Sequence, residues 1–377
     1  MYNILPVHIF LVISLLDLCY NGSIYNRKRK WTIMTVNGAM YNERELVENV
    51  SLCDSNGSLN PDCIGWSRRP VFDCNLSGHP LRKKKWNYWC ITSPECLFSI
   101  TISNIDYAGL VFAYYLDFKT KKFIEKTIMV PFGKGCNMPQ TVNETVSFKH
   151  RDMEVVFLNK EGYTLITVSC KNFNDVSLDA EFKVLYPDDH ETLNVVIPWS
   201  EKRFQFTSKQ ECLPVDGGLT VGDMAYSFRP GSTFACLDYG RGVWPFRVKW
   251  NWANASGMID GRRIGLNLGG KWTDGTGMTE NCLVVDGRIT KLSEDIIFEY
   301  DTSEFMKPWI LKTAVTDRVD LIFTPIYDRI ANMNLLLIKS EIHQLIGHFS
   351  GTIKTDAGET IVLENIPGCS EDHFGQW

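Results

Sequence analysis

The chain has 377 residues, of which 44% are hydrophobic, 22% charged and 12% aromatic, and it carries a net charge of −5. These values exclude a disordered chain, a collagen-like repeat and a coiled coil, and the mild acidity argues against a nucleic-acid binder. At roughly 100–200 residues per domain the length fits two domains or one large β structure, and 11 Trp, 14 Tyr and 21 Phe direct attention to sheets and ligand clefts.

Residues 4–16 form an apolar run broken only by Pro6, His8 and Ser14. The run is shorter than the about 20 residues of a membrane-spanning helix. It resembles the core of a signal peptide, with Gly22 and Ser23 as small residues for cleavage. No Lys or Arg precedes it and a basic cluster follows at 27–30, which by the positive-inside rule keeps the downstream chain in the cytosol. Residues 1–23 are read as a leader, signal or anchor, and 24–45 as a linker. A working leader implies the secretory pathway or a membrane anchor, and a non-functional one the cytoplasm. Membrane contact is expected only through this segment.

Of 12 cysteines, Cys19 lies in the leader and the rest are scattered with no CxxC pair, so neither a zinc ribbon nor a dithiol redox motif is present. Cys53–Cys63 and Cys90–Cys96 are candidate disulfides in an oxidising compartment and small buried hydrophobes in a reducing one. Six N-x-S/T sequons, among them Asn49, Asn75, Asn143 and Asn254, arise readily by chance and decide nothing.

From about residue 46 the chain reads as strands and turns. Short runs rich in β-branched and aromatic residues occupy 97–105, 110–116, 123–130, 155–158 and 163–168. Asp-Gly pairs at Asp216, Asp260, Asp274 and Asp286 suit tight hairpin turns. Only a few segments, such as 43–49 and 326–333, offer helical patterning, and neither is long. The expected fold is all-β, as two antiparallel barrel or sandwich halves, with no repeat of propeller or solenoid period. Aromatic blocks at 66–89 and 244–309 place the division before Asp216-Gly217-Gly218, giving halves at 46–215 and 216–377.

Several motifs fail on inspection. GLNLGGK at Gly265 approaches a phosphate-binding loop, but Trp272 stands where Ser or Thr must hold magnesium. His343 and His348 are five apart with no HExxH, so no metal and no cofactor is expected. GHFSG at Gly347 lacks the order of a nucleophile elbow. The basic run at 82–85 is read as snorkelling over Trp86 and Trp89 or as a solvated rim.

The densest constellation runs from Asp238 to Gly257. There Arg247, Lys249 and Asn251 alternate with Val248, Trp250 and Trp252, so a strand would put the polar set on one face and the aromatic set on the other. Asp238, Arg241 and Trp244 precede it, with Gly240 and Gly242 read as permitting a sharp backbone path. Trp272, Asp274 and Glu280 follow, and then Glu341, His343, Gln344, Glu371, His373 and Trp377. Carboxylates beside tryptophans in a concavity suit proton transfer on a bound molecule. Equally, ion pairs between strands and a tryptophan-filled core would produce the same composition.

Long strings carry a resemblance. GWSRRP at Gly65, RKKKWNYWC at Arg82, DYAG at Asp106, IPWSEKRFQFTSKQ at Ile197, GRGVWPFRVKWNWA at Gly240, GLNLGGKWTDGTGMTEN at Gly265 and SEIHQLIGHFSG at Ser340 resemble the domain-of-unknown-function family 2804, as does the closing acidic-His-to-Trp tail. The resemblance covers about residue 50 to the end and implies no particular reaction. More distantly, the chain looks like the double-lipocalin group of carotenoid hydratases, tocopherol cyclase and fungal cyclases, which bind long apolar molecules.

The resulting expectation is a two-barrel protein that binds a small hydrophobic or lipid-like molecule, with cofactor-free hydration, cyclisation or isomerisation as its chemistry. Asp238, Asp274 or Glu280 is the expected proton donor, with His343 as the alternative. Trp244, Trp250, Trp252 and Trp272 are expected to line the ligand, and Arg241 and Arg247 to orient its polar head. A non-catalytic lipid carrier is the alternative, and a carbohydrate-active protein a third reading.

Overall fold

A computed structural model describes residues 39–335 and 338–377. The expected leader, its basic cluster, Cys19 and Trp31 fall outside the described residues. Among the described residues no helix is long and apolar enough to cross a membrane.

The chain is all-β, and the one helical element described is the 3₁₀ turn Pro61–Cys63, capped by the Asn60 side chain. The first large sheet is antiparallel and runs in the order Phe123–Pro131, Ala108–Asp117, Cys96–Asn104, Lys83–Thr92, Phe234–Val243 and Arg203–Val221, continuing through Val176–Leu185, Tyr163–Phe173, Met153–Lys160 and Val146–Lys149 to Cys136–Asn137. Its far edge curls back toward Cys96–Asn104. The second sheet takes Arg288–Lys291, Cys282–Val285, Arg262–Gly270, Arg247–Ile259, Thr360–Gln376, Ile338–Lys354, Val319–Leu335, Trp309–Thr313 and Ile296–Glu299 in that order. It also curls, bringing Gly270 against Ile296 and Phe298. The expectation of two antiparallel half-barrels holds, and residues 43–49 and 326–333 are not helical. The second of these segments lies within the strand Val319–Leu335.

The change of sheet falls between Val243 and Arg247, not before Asp216. Asp216-Gly217-Gly218 does not turn at all. It continues the 19-residue strand Arg203–Val221, paired with Phe182, Lys183 and Glu181. Gly217 is required there because a Cβ would strike the Glu181 carbonyl at its φ of 152°. Asp260-Gly261 and Asp286-Gly287 do form two-residue hairpins, with both residues of each pair at positive φ.

Each curled sheet encloses its own apolar core. The first is packed by side chains including Phe98, Phe182, Phe206 and Phe228, with ring centroids 5.6 Å apart for Phe98–Phe182 and 4.9 Å for Phe182–Phe228. The second is built on Trp309, Phe323 and Phe349. Burial of each such side chain contributes about 1.5–3 kcal/mol. Two further clusters lie where the sheets meet, and they gather Trp66, Trp86, Trp199, Trp244, Trp250, Trp252, Trp272 and Trp377. Only Trp89 and Trp309 belong to the half-barrel cores among the described tryptophans. The unusual tryptophan content therefore belongs to the seam between the halves.

Candidate active site in the seam

The seam is built by strand alternation. On Arg203–Val221, residues 205, 207, 209 and 211 share one face, while Phe204 and Phe206 point into the first core. That stripe is Gln205, Thr207, Lys209 and Glu211, and each is at most 4% exposed. A buried sheet face is ordinarily apolar, so four polar residues in alternation need partners.

Lys209 finds two carboxylates. Its Nζ lies 3.0 Å from Asp238 Oδ1 and 2.9 Å from Glu280 Oε2, and 5.1 Å from the centre of the Trp252 ring. Burial by itself would lower the lysine, but Asp238 and Glu280 outweigh it and hold the ammonium above its ordinary value. Burial raises Glu280 despite Lys209 beside it. Trp272 Nε1 donates to Glu280 Oε1 at 2.7 Å, Thr207 Oγ1 to Asp238 Oδ1 at 3.3 Å, and Trp244 Nε1 to Gln205 Oε1 at 2.6 Å. Gly269 leaves room for Glu280, since a Cβ there would occupy the carboxylate's position.

Glu211 differs from its neighbours. It is 1% exposed, and neither side-chain oxygen has a hydrogen-bond partner. Burial pushes its carboxyl well above the usual range, with Lys209 opposing and Asp238 reinforcing the shift. Burial thus favours its protonated, neutral form. A β-bulge between Gln210 and Leu213, with Cys212 at a φ of 56°, sets its position. Bulges of this kind re-aim side chains, often beside active sites.

A second polar network crosses the seam nearby. Tyr88 and Tyr114 hydroxyls are 2.8 Å apart, and Tyr114 donates to Gln344 Oε1 at 2.7 Å. Gln344 Nε2 donates to Glu371 Oε2 at 3.2 Å, and Trp250 Nε1 to Glu371 Oε1 at 2.8 Å. His373 lies against Trp250 with ring centroids 3.7 Å apart, and burial keeps it below its ordinary pKa and so neutral at pH 7. Arg329 of the second sheet pairs with Glu125 of the first at 2.6 Å.

Of the sequence-predicted residues, Asp238, Glu280, Trp244, Trp250, Trp252 and Trp272 come together around Lys209 and the adjoining aromatic wall. The expected alternation also appears, with Val248, Trp250 and Trp252 turned to the seam. The others lie elsewhere. Arg241 shares the face of Tyr239 and Val243 toward the first core, where it is fully buried and hydrogen-bonded to the carbonyls of Trp86 and Gly240 and to Asn87 Oδ1. Arg247 is exposed and donates to Gln376. Asp274 is exposed and accepts from the Lys271 backbone N–H. His343 sits on the opposite face of its strand from Gln344, bonded to Asp328 at 2.8 Å and stacked on Phe305. Gly240 and Gly242 do not bend the chain. They lie in a strand, where Trp86 and Gln205 cover the positions a Cβ would take.

Sequence reasoning missed Lys209, Glu211 and Arg329. The sequence carried little signal for Lys209 and Glu211, because Phe206 is the only apolar residue of the QFTSKQE run and its polar residues are continuous from Thr207 to Glu211. All described cysteines are free, including the Cys53–Cys63 and Cys90–Cys96 candidates. Among the described residues no His, Cys, Asp and Glu group is arranged to hold a metal. A solvent-open depression of about 470 Å³ on the first sheet, with Glu154, Thr167, Asp179 and Glu181 in its lining, includes none of the residues expected from sequence.

Three solved structures resemble the chain at low identity. A Nitrosomonas europaea protein described as AttH aligns at 12% identity over 81% of this chain and 98% of its own, with a TM-score of 0.48. CghA with Sch210972 aligns at 8% over 78% and 89%, with 0.45. Kievitone hydratase from Nectria haematococca aligns at 11% over 88% and 97%, with 0.43. No curated protein matches the chain by sequence. The profile of the family described as Domain of unknown function (DUF2804) matches residues 43–377, and the chain belongs to that family.

Proposed function

We propose that the seam binds a small apolar, unsaturated molecule and catalyses cofactor-free proton chemistry on it, of the hydratase, cyclase or isomerase kind. The observation that carries this reading is Glu211, a fully buried neutral acid with no partner, two residues from a lysine already satisfied by two carboxylates. A carboxyl kept protonated at pH 7 is a competent general acid. Glu211 delivers its proton to one carbon of a double bond, and positive charge develops on the neighbouring carbon. The face of Trp252 and the Asp238–Glu280 carboxylates favour that charge. Water then adds to the cation and the proton it releases returns to Glu211, so the acid is regenerated. In an isomerisation the cation instead loses a proton from an adjacent carbon.

The Lys209 ammonium occupies the space between Asp238 and Glu280 and ties up both, which removes the acid–base pair a glycoside hydrolase needs. The carrier reading uses the same seam without Glu211 chemistry. Extraction of apolar compounds from the purified full-length chain, followed by incubation of that ligand with protein in D₂O, separates the two. Carbon-bound deuterium that appears with the native chain and not with Glu211→Gln supports catalysis. An unlabelled ligand supports a carrier, and recovery of no apolar ligand contradicts both.

A further inference from the structure

The seam-facing stripe of Lys83–Thr92 is Lys84, Trp86, Tyr88 and Cys90, and its first member is a buried cation. Lys84 is 2% exposed, and its Nζ has a hydrogen bond to the Ile105 carbonyl at 3.2 Å. No carboxylate among the described residues forms an ion pair with it, since Asp106 is paired with Lys83 at 3.4 Å. An ammonium has three donors, so the hydrogen-bonding capacity of Lys84 is not filled. Two further donors without partners lie around it. The Tyr107 ring centre is 4.6 Å and the Trp377 ring centre 5.9 Å from Nζ, and the Tyr107 hydroxyl and Trp377 Nε1 are both buried without a hydrogen-bond partner. Three under-satisfied donors on neighbouring side chains are anomalous in a folded interior, where buried polar groups are paired. They are what an oxyanion would satisfy.

An aromatic path joins this point to the acid cluster. Trp377 is 6.2 Å from Trp244, Trp244 stacks on Trp272 at 5.4 Å, and Trp272 donates to Glu280. Trp86 flanks Trp244 at 5.6 Å and Trp250 flanks it at 5.7 Å. Along the strand, Lys84 is four residues from Tyr88, which pairs with Asp238, a separation of about 14 Å.

We propose that Lys84, Tyr107 and Trp377 form the head-group site of the seam, taking the oxyanion of an amphiphilic acid, a carboxylate or a phosphate monoester, whose apolar body lies along Trp86, Trp244 and Trp250. This inference rests on the seam being the ligand site and names the class of ligand it takes. It also assigns the head-group role to residues other than Arg241 and Arg247. Burial lowers Lys84 to about 8, with Arg82 adding to the shift and Asp106 opposing it.

The test is calorimetric titration of the full-length chain with decanoate, decyl phosphate, decanol, acetate and inorganic phosphate. The expected result is that decanoate or decyl phosphate binds about 10- to 100-fold more tightly than decanol, and the stronger of the two identifies the head group. Lys84→Met removes that preference and leaves decanol binding unchanged. Trp377→Phe, which keeps a ring and deletes the N–H, weakens only the acid, and it serves where Lys84→Met fails to fold. Equal binding of decanoate, decyl phosphate and decanol overturns the head-group site while leaving the seam as a ligand site. Failure of every amphiphile, decanol included, overturns the seam reading itself. Acetate or phosphate binding as tightly as the amphiphiles identifies a small-anion site and overturns the amphiphile assignment.

Discussion

Lys209 on the first sheet and Glu280 on the second half lie 2.9 Å apart, with side chains 4% and 1% exposed. The pair fastens the two half-barrels through charge, and desolvation of a lysine and a carboxylate is expensive unless both are fully engaged. Here Asp238 and the Trp272 N–H complete the set. Replacing Lys209 alone leaves two carboxylates in the interior without a cation. Lys209→Met is expected to lower stability by about 3–5 kcal/mol. Adding Glu280→Met to it should recover part of that loss, and urea unfolding of both variants measures the difference.

Glu211 gives a prediction in pH. Its folded-state pKa lies above the unfolded one, so the stability it contributes is complete below the unfolded value near 4.5 and falls as pH rises toward its folded value. Glu211→Met removes that dependence. The variant is expected to gain in Tm over the native chain as pH is raised from 4 to 7, and to lose turnover in the deuterium assay. A difference in Tm that is constant across this range contradicts the assignment of Glu211 as a buried neutral acid.

Gly269 is required by the site rather than by a turn. A methyl group there overlaps the Glu280 side chain and drives it off the Trp272 N–H and Lys209. Gly269→Ala is expected to destabilise by about 1–3 kcal/mol and to weaken amphiphile binding. Ala introduced instead at Gly261, an exposed hairpin glycine at φ 78° with open space around it, should lower stability through backbone strain and leave binding unchanged. Parallel unfolding and binding curves distinguish the two effects.

Lys84 is expected to lower the stability of the chain that carries it. Its pKa falls from 10.5 to about 8 on folding, so between those values the unfolded chain holds a proton that the folded chain has released. Stability of the native chain therefore rises with pH across that window. Lys84→Met is expected to be the more stable protein at pH 7, with an advantage that shrinks between pH 8 and 10.5. Asp106, Arg82 and Lys83 remain in both proteins, so the difference curve isolates Lys84.

The strands were legible because period-two alternation and Asp-Gly hairpins at Asp260 and Asp286 are local signals. The division between halves was not. Asp216-Gly217-Gly218 reads as a turn, yet its glycines serve close strand packing inside one long strand. The site was half legible for a similar reason. Asp238, Glu280 and the tryptophans stand out by residue type, whereas Lys209 and Glu211 look like ordinary surface charges until the sheet places their face against a second sheet. Arg241 erred the other way, because a lone arginine beside aromatics reads as a ligand clamp when its strand parity turns it into the first core. The basic run at 82–85 reads as a snorkelling or solvated rim, whereas Lys84 is 2% exposed against Tyr107 and Trp377.

The central claim is that ligand binds between the half-barrels and outside their interiors. Photolabelling of the full-length chain with a diazirine-bearing amphiphilic acid, followed by peptide mass spectrometry, tests it directly. Label is expected on the seam strands Lys83–Thr92, Arg247–Ile259 and Thr360–Gln376, at side chains such as Trp86, Trp250 and Glu371, and is lost when excess decanoate competes. Label concentrated on Phe98, Phe182 or Phe206 in the first core, or on Phe323 and Phe349 in the second, would contradict it.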